Sequence, residues 1–280
     1  MADLTAYEQR ALREIASFKA TKESRLGSLW RRIGAPLEQA SDVALSTVPG
    51  AAVVRAVQEV LDLINDGATW TVRTSAIYEE FRRRGLGPIE GPRDIRRLGL
   101  HEIDRLVTTL GAKYQALGVA EGAGSGLLGG IGIAADVALV VGLALRAVGE
   151  HATYYGFEVS PPHERAFVMS LLSAASCPAT NERSAALAEL TKLSVLLAGG
   201  DGASALESQR SVQLTKKIAE ALTIRLVKAK LGQLIPGVGA IVAGGYNAWL
   251  MRAVTQGSCQ MYRERFLVEK HGEDVLGQAS

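Results

Sequence analysis

The chain is poor in the residues that announce either a β-fold or familiar chemistry. Aromatic side chains make up only 5% of its 280 residues, and its apolar content is carried by Ala, Leu, Val and Gly. A β-sandwich would draw on Val, Ile, Tyr, Phe and Thr, whereas helices packed through small residues suit this balance. No alternating pattern stands out, so an all-α architecture is expected. There are two cysteines, Cys177 and Cys259, without metal-ligand spacing. They read as buried free thiols of a reducing compartment. The four histidines (His101, His151, His163, His271) are scattered and give no zinc pattern. Walker A, Gly-x-Ser-x-Gly and His-Glu-x-x-His motifs are all missing. Gly124-Ser125-Gly126-Leu127-Leu128-Gly129 matches a dinucleotide fingerprint in letters alone, since it follows an expected helix and no strand precedes it. No cofactor, metal or catalytic residue is therefore expected. Net charge is +2, which gives no global electrostatic case for a nucleic-acid partner. The charged, amphipathic first 19 residues lack an apolar signal core, so the expected location is cytoplasmic.

What the chain does have is glycine in its most apolar stretch, residues 118–155. Gly118, Gly122, Gly126 and Gly130 recur every fourth residue. On a helix they share one face, where a neighbouring helix can approach closely. Each glycine costs about 1 kcal/mol against alanine inside a helix, so tertiary contact must compensate. Residues 131–148 are almost wholly Ile, Val, Leu, Ala and Gly, interrupted by Asp136 and Arg146. A second glycine-rich apolar segment, residues 234–250, could pack against the first as a small-residue helix pair. The expected fold is thus a single multi-helix domain over residues 1–280. An amphipathic part, 1–117, precedes a Gly-rich apolar core part, 118–270, and the helix after Gly130 is expected to be the most buried element.

Along the amphipathic part, Leu4, Tyr7, Ala11, Ile15 and Phe18 mark a helix over 3–22. One or two short helices follow within 24–47. Pro49 is placed to open a helix with the stripe Val53, Val57, Leu61 and Ile64. Residues 93–117 read as one helix with Ile103, Leu106, Val107, Leu110, Tyr114 and Leu117 on a common face. Later helices are expected over 163–177, over 182–198 and along Leu214, Ile218, Leu222 and Leu226.

Several segments together resemble the EcsC family of bacterial proteins. Tyr7-Glu8 with Leu12 and Glu14 is similar to its opening helix. Residues 120–126, leading to Ala135-Asp136, are similar to its central glycine-rich signature. Residues 155–158 with Glu164-Arg165, then residues 235–240, Asn247 and residues 262–265, resemble its later blocks. The chain departs at Ala138, where the family tends to have proline, and at Gln256, where it often carries glutamate. The resemblance implies no established activity. The family is named for a protein encoded beside the subunits of an ABC transporter, so an integral membrane partner of transporter type enters as an implied partner.

Two groups of residues are candidate sites. Glu121, Asp136 and Asn247 are polar groups in apolar sequence, where an unpartnered carboxylate is costly. They read as register-fixing hydrogen-bond partners, as a polar ligand or lipid-headgroup site, or, for Glu121 with Asp136, as the acid/base pair of a hydrolase. Arg82, Arg83, Arg84, Arg93, Arg96 and Arg97 form the one dense basic region. They read as a solvated loop or as contacts to anionic headgroups, each worth about 1 kcal/mol near such a surface. Residues 122–145 hold enough apolar side chains to cross a bilayer, for which about 20 are needed, but Asp136 near their middle favours a buried core. The expected function is a non-enzymatic, membrane-proximal helical protein that binds a lipid or an integral membrane partner, peripheral at the inner face of the cell membrane.

Overall fold

The computed structural model describes residues 3–20, 50–65, 72–125, 133–177, 180–199, 209–231 and 239–278. These form eleven α-helices and a closing 3-10 turn, with no strand among the described residues. The helices are α1 (Ala6–Ala20), α2 (Gly50–Asn65), α3 (Thr74–Arg83), α4 (Pro92–Arg96), α5 (Leu100–Val107) and α6 (Leu110–Ser125). They continue with α7 (Ile133–Tyr154), α8 (Pro162–Ala175), α9 (Thr180–Ala198), α10 (Gln209–Leu231) and α11 (Gly239–His271). A single hydrophobic core runs from Leu4 to Val275, so the all-α domain read from composition is the fold observed. The helices expected within 24–47 lie outside the described residues.

α1 starts where Thr5 and Glu8 exchange hydrogen bonds: the Thr5 N–H donates to the Glu8 carboxylate at 3.0 Å, and the Glu8 N–H donates to the Thr5 hydroxyl at 3.2 Å. That reciprocal pair satisfies donors the first turn leaves open. Burial alone would raise the Glu8 carboxyl. The Thr5 hydrogen bonds, His271 at 3.2 Å and nearby Lys270 outweigh it and bring the group down to about 2. One carboxylate thereby ties the first helix to the end of the last.

The expected single helix over 93–117 is in fact three. α5 restarts at Gly99, whose extended backbone (φ −75°, ψ 140°) caps it and whose N–H donates to Glu102 at 2.8 Å. At the other end the Thr108 hydroxyl donates to the Asp104 carbonyl at 2.8 Å, and residues 108–109 form a turn. The breaks re-aim each piece, so Ile95, Ile103, Leu106, Val107, Leu110 and Tyr114 all reach the core while Leu117 stays 41% exposed. In α2 the buried face centres on Ala56 and Val60, one step from the expected Val57 and Leu61, which are half-buried.

The centre of the molecule is shared. Every residue from 147 to 157, at the end of α7, is buried, yet Leu139 earlier in the same helix is 59% exposed. α11, about 50 Å long at 1.5 Å per residue, packs most extensively against α6 and also against α7, α8, α9 and α1. Among the described residues no helix is long and apolar enough to cross a membrane.

The close approach expected of the glycine face is seen at Gly118. A Cβ there would lie 2.7 Å from Met251 Cγ and 3.2 Å from the Asn247 carbonyl oxygen, both on α11. Gly126 and Gly130 lie outside the described residues, as do the surroundings of Gly122. Gly142, in α7, has nothing within 4 Å of an added Cβ. Gly142→Ala should therefore stabilise by up to about 1 kcal/mol through helix propensity. Gly118→Ala should instead destabilise by about 1–3 kcal/mol through overpacking. Urea midpoints of the two variants check this, and shifts of the same sign and size would remove the close contact between α6 and α11.

Candidate functional site

The arginine-rich segment is positioned by two turns. α3 ends at Arg83 with Arg84 as its C-cap, and Gly85 (φ 75°) and Gly87 (φ 86°) then take left-handed backbone that side chains disfavour. The chain re-enters a helix at Pro92, where a missing N–H costs nothing. Asp94 fixes this entry by accepting the N–H groups of Glu90 (3.0 Å) and Gly91 (3.1 Å), which hold its carboxyl below the usual range.

Against α4 lies the end of α7. The Gly156 N–H donates to the Thr153 carbonyl and the Phe157 N–H to the Ala152 carbonyl, at 3.1 and 2.8 Å, around Gly156 at φ 80°. This is a Schellman closure, and it needs the left-handed residue. Phe157 is thereby turned onto Arg265 of α11, whose guanidinium sits 4.3 Å from the Phe157 ring centre and 4.8 Å from that of Phe167. The same guanidinium grips Glu164, in the first turn of α8, through two bonds of 2.5 Å. Both partners are buried. Glu164 stands as an acid at the N-terminal dipole of its helix, and it also neutralises Arg265, 101 residues away.

Between α4, the residues after α7, the start of α8 and α11 opens a cavity of about 620 Å³. Arg96 crosses its wall to Glu269 at 2.6 Å, and Arg97 lies 3.5 Å from Asp94. Arg93, Glu90 and Glu158 stand exposed at its edge. Of the six arginines singled out, Arg82 is also engaged, pairing with Glu79 at 2.8 Å and donating to the Ile89 carbonyl at 3.0 Å. Arg83, Arg84 and Arg93 are exposed, and no acidic partner is found for them among the described residues. Half of the basic cluster is thus structural and half is available.

The polar trio is not gathered at this cavity. Asn247 is fully buried on α11, and its carbonyl faces Gly118. Asp136 is half-buried in the first turn of α7, where an acid complements the N-terminal dipole. Glu121 lies on α6 with its side chain outside the described residues. Neither Asp136 nor Asn247 lines either cavity described here. Arg146, which could not reach Asp136 along one helix, lies 3.5 Å from Glu150, which also accepts from Lys113 at 2.6 Å.

A second cavity of about 330 Å³ lies among α1, α5, α6, α7 and α11, with Gln256 on its wall. Asp104 accepts from the hydroxyls of Tyr7 (2.8 Å) and Tyr155 (2.7 Å) and lies 3.0 Å from Arg263, which in turn donates to Glu14 at 2.8 Å. Burial, with Asp104 adding to it, pushes the Tyr7 phenol up to about 12, and burial also raises the Cys259 thiol. Burial brings the His151 imidazole down to about 4, with Nδ1 2.7 Å from the Ala147 carbonyl oxygen. Phenol, thiol and imidazole are all neutral near pH 7, and no activated nucleophile results. The network reads as a polar lock between the chain's ends.

Comparison with known proteins fits this architecture to a family. A family model described as the EcsC protein family matches residues 9–267. Two relatives come from Bacillus subtilis (strain 168). An uncharacterized protein, YdbA, is 24% identical over 213 residues, covering 76% of this chain and 76% of its own. Protein EcsC is 26% identical over 215 residues, covering 72% of this chain and 81% of its own. No solved structure matches.

Proposed function

The chain belongs to the EcsC protein family, and we propose that it is a non-enzymatic, membrane-proximal helical protein that docks on anionic lipid headgroups at the inner face of the cell membrane. The observation that carries this reading is the set of exposed arginines without acidic partners, Arg83, Arg84 and Arg93, spread around one glycine turn and one cavity mouth. A guanidinium left unpaired is free to bind phosphate in fork geometry. Attachment is peripheral, through headgroups, and an integral membrane protein of transporter type is the further partner such a position would favour. A hydrolase built on Glu121 and Asp136 has less support, since Asp136 lines neither cavity.

Flotation of the purified protein with phosphatidylcholine vesicles containing phosphatidylglycerol tests the reading. The protein should rise with the vesicles at low salt and be released as salt screens the contact. Replacing Arg83 and Arg84 together with glutamine should remove about 2 kcal/mol of attraction, roughly thirtyfold in partitioning. A protein that stays at the bottom of the gradient, or a double variant that floats like the parent, sinks the proposal.

A further inference from the structure

The 620 Å³ cavity carries more information than the surface charge around it. Three of its carboxylates are matched: Glu164 by Arg265, Glu269 by Arg96 and Asp94 by Arg97. What remains uncommitted at the edge, among the described residues, is one guanidinium, Arg93, and two carboxylates, Glu90 and Glu158. Deeper in the wall, Nε of Arg265 is buried without a hydrogen-bond partner, in a residue only 3% exposed, and Nδ1 of His163 is likewise unpartnered. A buried polar group in that condition is costly and calls for an explanation, an unobserved ligand among them. The cavity also opens at the start of α8, where Pro161 and Pro162 carry no N–H and those of Glu164 and Arg165 are bonded to the Pro161 carbonyl, so His163 holds the one unbonded N–H of that turn.

These groups ask for a molecule carrying both signs. A purely anionic ligand would meet Glu90 and Glu158, and a purely cationic one would meet Arg93 and the start of α8. A phosphodiester bearing an amine balances its own charge and so leaves that of the cavity unchanged. The amine should be primary. A quaternary ammonium seeks an aromatic face, and the Phe157 ring is already engaged by Arg265 at 4.3 Å and Arg96 at 5.8 Å. A primary ammonium instead presents three donors to carboxylates. We propose that this cavity binds a phosphodiester-linked primary amine of the phosphoethanolamine type, its phosphate on Arg93 and the His163 N–H at the start of α8 and its ammonium on Glu158 and Glu90. The same chemistry occurs in a membrane lipid and in its water-soluble deacylated form. Only the lipid source rests on the membrane position proposed above.

Isothermal titration of the full chain with glycerophosphoethanolamine is the test. Saturable binding at one site is expected, with glycerophosphocholine and inorganic phosphate each at least about tenfold weaker. Arg93→Ala and Glu158→Gln should each weaken binding by about tenfold or more and leave the thermal midpoint unchanged, because both side chains are exposed. Stronger flotation on phosphatidylethanolamine vesicles than on pure phosphatidylcholine would identify the lipid as the source. Equal flotation with intact titration would identify the soluble form. Replacing Arg83 and Arg84 should leave the titration unchanged, so loss of anionic-vesicle binding and loss of this site are separable. No saturable binding of glycerophosphoethanolamine, equal affinity for the choline analogue, or unaltered binding in both variants overturns the proposal.

Discussion

Glu164→Gln should destabilise the protein by about 3–5 kcal/mol, because it leaves the Arg265 guanidinium buried between two phenyl rings with its charge uncompensated. Arg265→Met should cost a similar amount by stranding the carboxylate of Glu164 instead. The double variant Glu164→Leu with Arg265→Met is expected to recover most of the loss, since a buried ion pair is often no better than well-packed apolar groups of similar volume. Chemical denaturation of the parent, both single variants and the double variant closes the cycle, and the coupling between the sites is read directly. Additive losses would mean that the pair is not the lock joining α8 to α11. A single variant that loses less than about 1 kcal/mol would mean that the pair is solvated, as surface pairs are.

Gly156→Ala is the second large effect. The residue sits at φ 80°, and an added Cβ would lie 2.6 Å from the Pro92 carbonyl oxygen and 2.8 Å from Arg96 Cγ. Two costs therefore combine: left-handed backbone for a residue with a side chain, about 1–3 kcal/mol, and overpacking against a fixed main chain, again about 1–3 kcal/mol. A loss of at least about 2 kcal/mol is expected. Gly272 separates the two costs, because it has φ 83° but nothing within 4 Å of an added Cβ. Gly272→Ala should show the backbone cost alone. If thermal midpoints fall equally in the two variants, the close seat of the end of α7 on α4 is not real. Since that seat forms one wall of the 620 Å³ cavity, Gly156→Ala should also disturb the site.

The glycine turns, the buried pair and the cavity explain why this part of the chain differs from an ordinary solvated loop. Arg82, Arg96 and Arg97 each answer an acid; Arg96 ties α4 to Glu269 of α11, Arg82 also closes the loop onto the Ile89 carbonyl, and Arg97 pairs locally with Asp94. Arg83, Arg84 and Arg93 are then carried on that frame without being consumed by it. Side chains spent on ion pairs cannot also serve a surface, so the division within one cluster matters more than its total charge.

Much of the fold was legible because its signals are local. Small-residue composition, helical spacing in α1 and the proline before α2 all act within a few residues, and they specified helices and the all-α class. The cost of glycine in helices pointed to close packing, and Gly118 against α11 bears that out where the structure describes it. The break of 93–117 into three helices was missed because the apolar spacing from Ile103 to Leu117 runs on across Thr108 at helical steps. Each capping bond there is worth only about 1 kcal/mol, and it is the burial gained by re-aiming the pieces that selects the break. The site was harder to read. Its defining contacts join residues 101 and 173 positions apart, Arg265 with Glu164 and Arg96 with Glu269. No periodicity encodes such pairs, and a charge looks the same in sequence whether it is matched or free. Composition and local spacing are enough to specify packed helices and to locate the basic residues. Which of those charges are neutralised and which face a cavity follows from the fold, because electrostatic pairing depends on distance through space, which the order of residues does not contain.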